Sequence, residues 1–175
     1  DRTFRCVTLQ EGRYDFSQGK NGDASDYNGN LSNSTVKTAL IGDTGSKTGM
    51  YALDQEDVPI TMAAIPGVTE QSVQNSLITL AENTQNFLAV VSPPVGFQNA
   101  QQAIAWSNGK ATGRTASINS SYAAVYWPWL KSFDAFTGKD RFYDPAIYAI
   151  SHMCYTDEVS DPWFAPAGLS RGRLT

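Results

Sequence analysis

Apolar positions are unevenly spread along this chain, and their spacing changes character near residue 50. Residues 1–50 are weakly periodic and rich in Gly, Asn, Ser and Asp, as in "SQGKNGDASDYNGNLSNS", and read as surface turns and loops. Only "TFRCVTLQ" alternates enough to suggest a strand there. Beyond residue 50, "VPITMAAIPG" (58–67) is a short apolar run closed by Pro-Gly, the spelling of a buried strand and a turn. In "TEQSVQNSLITLAENTQN", Val73, Leu77, Leu80 and Ala81 fall at 0, +4, +7 and +8, one face of a helix. Thr69 suits its N-cap and Glu70 the positive end of its dipole. "FLAVVS" (87–92) is a second buried strand, stopped by Pro93-Pro94. "QNAQQAIAWSNGK" is a second helix, with Gly109 as its stop. A third strand spans "SYAAVYWPWL" (121–130) and ends at Pro128, which has no N–H for a central ladder.

The next element is set by capping chemistry. Asp144 followed by Pro145 is an N-cap with proline at the first helical position, so a helix is expected from there through at least Met153. Ile147, Ile150 and Cys154 share one of its faces, and "DPWFAPAGLSRG" after it is a loop pinned by two prolines. Alternating strands and helices of these lengths predict an α/β fold. It has a βαβ core with a mixed sheet flanked by helices, preceded by a loop-rich partial domain. Residues 1–50 form the loop-rich segment and 51–175 the α/β core. Trp129, which closes the apolar strand beside Pro128, is expected to be largely buried.

Composition narrows the functional classes. Of 175 residues, 41% are hydrophobic and only 17% charged, enough for a substantial core. Thirteen basic against seventeen acidic residues give a net charge of −4 with no basic cluster in the sequence, which argues against nucleic acid as partner. No apolar stretch reaches the ~20 residues of a membrane-spanning helix. Cys6 and Cys154 form no CxxC and no disulfide framework, and read as a buried or free pair in a reducing compartment. The chain opens on Asp1 and closes on "LSRGRLT", as a stretch of a longer polypeptide would.

Candidate chemistry is sparse. "IGDTGSKTGMYAL" (41–53) looks like half a phosphate-binding loop, but GxxxxGK[ST] aligned on Lys47 and Thr48 puts Ile41 and Ser46 where glycines belong. Gly42 and Gly45 lie one place out of register, and "MYALD" is too short for the helix such a loop must open, so the run reads as an exposed turn. His152 and Cys154 could pair as base and nucleophile on a strand, but on the expected helix they point about 200° apart. One histidine and two cysteines fall short of a zinc site. Asp157-Glu158 and Glu56-Asp57 read as solvated carboxylates, and "TGRTAS" carries hydroxyls and an arginine but no base. The aromatics Tyr122, Tyr126, Trp127 and Trp129 read as core or interface, with a ligand platform as the other option. No catalytic, cofactor-binding or metal-binding residue is nominated, and no enzyme activity is expected.

Four motifs carry a resemblance. "TGMYALDQEDVPITMAAIPG", "NFLAVVSPPVG", "SSYAAVYWPWLK" and "DPWFAPAG" arrive in the order and spacing of contractile tail sheath proteins of contractile-tailed bacteriophages, over about residues 48 to 172. Tyr126 to Leu130 and Ala165 to Gly168 are the strongest, and "QGKNGD" is a weaker match. The chain departs from the family at Tyr143-Asp144-Pro145-Ala146, where Pro-Pro-Ser-Gly is common, and at "CYTDEVSDPW". The resemblance implies a structural subunit without cofactors. It implies stacked six-membered rings around an inner tail tube, which shorten to drive the tube through a cell envelope. The implied partners are other sheath subunits, the inner tube protein, the baseplate and the tail terminator, with no nucleic acid and no membrane. The implied location is the virion, after assembly in the host cytoplasm. Residues 1–50 would then be the end of an inserted outer domain. The competing expectation is an α/β small-ligand-binding or enzymatic domain of doubly wound type, with a site at the strand ends near 66–69 and 92–96.

Overall fold

The computed structural model describes residues 34–55 and 59–173. The expected strand at "TFRCVTLQ", Cys6, the "QGKNGD" turn and Glu56-Asp57 lie outside the described residues. Helix α1 (Ser34–Ile41) and a 3-10 turn (Gly49–Leu53) come first. Strand β1 (Met62–Ala64), α2 (Gln71–Thr84), β2 (Leu88–Val91), α3 (Ala100–Ser107) and β3 (Ala123–Val125) follow in alternation. The three strands form one parallel sheet in the order β1-β2-β3, with Ala63 opposite Ala89 and Val90 opposite Ala124. Each crossover carries a helix, as parallel neighbours require.

The core gathers where the periodicity placed it. Val73, Leu77, Leu80 and Ala81 of α2 are buried with Phe87, Ala89 and Val91 of the β2 region. Truncating one of these leucines to alanine would cost roughly 2–5 kcal/mol. Val90, on the other face of β2, is 1% exposed and lies beside Ala146. The central strand is therefore covered on both faces, which explains its uninterrupted apolar spelling. β1 and β3 flank it and are only partly buried, so the expectation of a buried strand at 58–67 holds for position but not for depth.

Three features differ from the sequence expectation. Residues 34–41, expected to be loop, are helical, and Val36, Leu40 and Ile41 pack on the core. The third strand ends at Val125; a cis Trp127–Pro128 bond follows, and Leu130 begins an antiparallel hairpin of β4 (Leu130–Asp134) and β5 (Lys139–Tyr143). The parallel and antiparallel strands of this α/β fold are thus two sheets. Helix α2 starts one residue later than expected, with Glu70 at the N-cap. Its side chain bonds Lys37 Nζ at 3.0 Å instead of capping the helix, and so ties α2 to α1.

Helix stops follow local chemistry. After α3, Lys110 N donates to Ala105 O and Gly109 N to Trp106 O, the paired bonds of a left-handed helix terminus. Gly109 has φ +70, and a Cβ there would stand 2.7 Å from the Ala116 carbonyl carbon, so only glycine fits. The Asp-Pro signal is met: Asp144 caps α4 (Pro145–Val159) by accepting from Ala146 N at 2.8 Å. Its buried face, however, is Ala146 and Thr156; Ile147 is 45% exposed and Cys154 exposed, so the Ile147, Ile150, Cys154 stripe is not the packed one. A short helix α5 (Gly168–Arg171) turns the tail back toward α4.

Candidate functional site

The glycine-lysine run is a loop closed on itself. Asp43 Oδ2 accepts from Ser46 N at 2.7 Å and Ser46 Oγ at 2.9 Å, while Thr48 Oγ1 accepts from Asp43 N at 3.0 Å. Those bonds from Ser46 hold the Asp43 carboxyl below the usual carboxylate range. Lys47 pairs with Asp54. Gly42 has φ +76, and a Cβ on it would lie 1.9 Å from Thr48 O; Gly49, at φ +57, would press on Gly42 Cα at 2.7 Å. The glycines let two backbone segments cross. The loop follows a helix and surrounds a carboxylate, the reverse of a phosphate cradle.

The strand ends near 66–69 and 92–96 are where a doubly wound fold would hold a ligand. Here the protein's own groups fill the part of the crevice between Gly67 and Ser92, while a hollow of about 320 Å³ stays open beside Val95, Gly96 and Trp129. Asp144 is 4% exposed; beyond its cap bond, its Oδ1 accepts from Ser92 Oγ at 2.5 Å and its Oδ2 from Gly67 N at 2.7 Å. Gln74, 3% exposed on α2, donates Nε2 to Val68 O at 3.1 Å and to Ser92 O at 2.9 Å. The space left among Ile65, Gln74, Val90 and Asp144 is about 10 Å³, less than a small metabolite needs.

The same network reaches a residue that sequence reasoning passed over. Arg114, in the "TGRTAS" segment, is 1% exposed. Its Nη2 donates to Gln74 Oε1 at 3.0 Å and its Nη1 to Asn75 Oδ1 at 2.9 Å. Its guanidinium carbon stands 4.6 Å from the centre of the Trp106 ring, and Trp106 is itself fully buried. Desolvation lowers the Arg114 pKa, yet a guanidinium stays charged at any working pH. The charge is held by amide oxygens and an aromatic face. Trp106 rather than Trp129 is the buried tryptophan; Trp129 is half-buried, with Nε1 donating to Pro93 O at 2.7 Å.

His152 and Cys154 do not meet. Both ring nitrogens of His152 face carbonyl oxygens, Nδ1 that of Tyr148 at 2.7 Å and Nε2 that of Arg173 at 2.9 Å. Only the imidazolium can donate to both, and the Arg173 carbonyl, then that of Tyr148, raises its pKa. Cys154 points to solvent. Asp157 and Glu158 are exposed, as expected for solvated carboxylates.

An open space lies along α4. A groove of about 510 Å³ is lined by His152, Tyr155, Leu169, Arg171 and Arg173. A second hollow of about 250 Å³ shares His152 and is walled by Tyr126, Trp127, Pro128 and Tyr148. The aromatic cluster is thereby divided: Tyr122 packs on the core, while Tyr126 and Trp127 face this hollow. No helix among the described residues is long and apolar enough to cross a membrane, and no group of three or more His, Cys, Asp or Glu among them is placed to hold a metal.

No family model matches the chain. It is 26% identical over 155 residues to the tail sheath protein of Vibrio phage KVP40, covering 74% of this chain and 23% of that protein. It is 28% identical over 116 residues to the tail sheath protein of Enterobacteria phage T4, covering 61% of this chain and 18% of that protein. The chain thus spans less than a quarter of the length of these relatives.

Proposed function

We propose that this chain, which is similar to phage tail sheath proteins, is a structural subunit of a contractile tail sheath. The similarity to two sheath proteins is the observation that carries the reading. In this reading its partners are further sheath copies, stacked as six-membered rings around an inner tail tube between baseplate and tail terminator. The subunits shift to a shorter, wider state and push the tube through the host envelope. The protein assembles in the host cytoplasm and resides in the virion, with no enzymatic role, nucleic acid or cofactor.

The packing supports a mechanical part. A subunit that slides against its neighbours must keep its own core fixed, and Asp144, Ser92 and Gln74 cross-link both faces of the sheet with polar bonds. The competing ligand-domain reading loses the space between Gly67 and Ser92 to the same groups, where about 10 Å³ remains, and keeps only the hollow of about 320 Å³ beside Val95 and Gly96, into which no charged side chain is directed. Electron microscopy of the intact protein tests the proposal. Striated tubes are expected, and discrete globular particles under all assembly conditions would refute it.

A further inference from the structure

The groove along α4 is a local exception to the charge of the chain. The whole sequence carries −4, yet the groove is lined by Arg171, Arg173 and His152 without a carboxylate. Arg171 is held in place by its Nε bond to Ala165 O at 3.4 Å and by stacking at 5.0 Å from the Phe164 ring centre. The adjoining hollow is apolar and aromatic. Together they present a basic compartment beside an aromatic one, with His152 between them.

The complement lies at the end of the same helix and in the turn that follows it. Asp157 and Asp161 are exposed, and Trp163 is 78% exposed. Among the described residues, the salt bridges are Lys37–Glu70, Lys47–Asp54, Lys131–Asp140 and Arg141–Asp134, so neither these two acids nor Arg171 and Arg173 are paired. On α4, Asp157 points about 200° away from Tyr155, which lines the groove. Asp157 therefore faces away from the groove of its own chain, as a head-to-tail contact with another copy requires.

We propose that the groove receives the elbow Asp157–Trp163 of a neighbouring copy. The Asp157 and Asp161 carboxylates meet Arg171 and Arg173, and the Trp163 indole enters the hollow beside Trp127 and Tyr148. This deepens the sheath reading and rests on it, because it names one surface through which copies meet. Charge sets the polarity of the contact, since groove against groove and elbow against elbow repel.

A charge-exchange experiment on the intact protein tests the proposal. One variant carries Arg171→Glu and Arg173→Glu, the other Asp157→Arg and Asp161→Arg; Arg173, Asp157 and Asp161 are exposed and Arg171 partly so, and circular dichroism checks that both variants fold. Each alone should lose assembled material by about tenfold or more, and mixing the two should restore it. Independently, Asp161→Cys with Leu169→Cys, treated with a short bismaleimide, should give a ladder of linked copies absent from either single variant, which controls for Cys154. Wild-type assembly that withstands both charge reversals, or links formed only within one chain, would overturn the groove contact and leave the sheath reading intact. Failure of the wild type to assemble at all would overturn both.

Discussion

Ser92 donates its hydroxyl to Asp144 across 2.5 Å, joining the end of β2 to the first turn of α4, 52 residues away. The same carboxylate caps its own helix and accepts from Gly67 N at 2.7 Å after β1. One side chain thus fixes three segments that would otherwise end in buried, unsatisfied groups.

Asp144→Ala should therefore be among the more damaging single changes in the molecule. It removes the cap and leaves a buried hydroxyl and a backbone N–H unpaired, for a loss of roughly 2–4 kcal/mol. Ser92→Ala should cost about 1 kcal/mol, and the double variant less than the sum. Urea midpoints at constant slope measure this; a wild-type midpoint for Asp144→Ala would show that the crevice is not held by it.

Arg114 should resist conservative replacement. Lysine is a point charge and cannot reach Gln74 Oε1 and Asn75 Oδ1 together while stacking on Trp106. Arg114→Lys should destabilise by roughly 1–3 kcal/mol, and Arg114→Ala by more. Denaturation followed by tryptophan emission checks the order; equal stability of Arg114→Lys and wild type would mean the fork geometry is irrelevant.

His152 gives a pH dependence of defined sign. Its folded pKa is raised, first by the Arg173 carbonyl and then by that of Tyr148, above the ordinary imidazole value of 6.5. Its contribution is fully present below that value and is lost as pH rises through the folded pKa. As pH rises above about 6.5, wild-type stability should fall relative to His152→Gln. Parallel profiles for the two proteins would refute the assignment.

The loop at 41–49 should fail as a nucleotide site and matter as a turn. Calorimetric titration with ATP or GTP should give no binding heat, with or without Lys47→Ala; micromolar affinity lost in that variant would reverse the conclusion. Gly42→Ala should cost more than about 1 kcal/mol from its positive φ, and more again from the clash with Thr48 O.

Legibility varied with how local the cause was. The β1-α2-β2-α3-β3 alternation could be read because β2 is covered on both faces and α2 repeats its apolar positions with helical spacing. Asp144-Pro145 could be read because a cap acts over two residues. Helix α1 was hidden by the Gly, Asn and Ser around it. The β4–β5 hairpin was hidden because Phe133 and Phe142 alternate with charges and face water, 64% and 57% exposed. Its turn did leave a sign in Asp134 and Gly138, which close it through Gly138 N to Asp134 O at 2.8 Å. Arg114 left none, since Gln74 and Asn75 lie 40 and 39 residues away. The groove joins α4 to a tail that reads as plain loop.

That hairpin bears on how the molecule opens. A two-stranded sheet with aromatic side chains in water and little packing behind it is marginal by itself. Its amide protons should exchange with solvent through small, frequent openings, well before those of Ala89 to Val91, which wait for the whole core to come apart. The chain would then hold two clocks: a slow one in the parallel sheet, and a fast one in β4–β5 that a neighbouring surface could stop by covering Phe133 and Phe142.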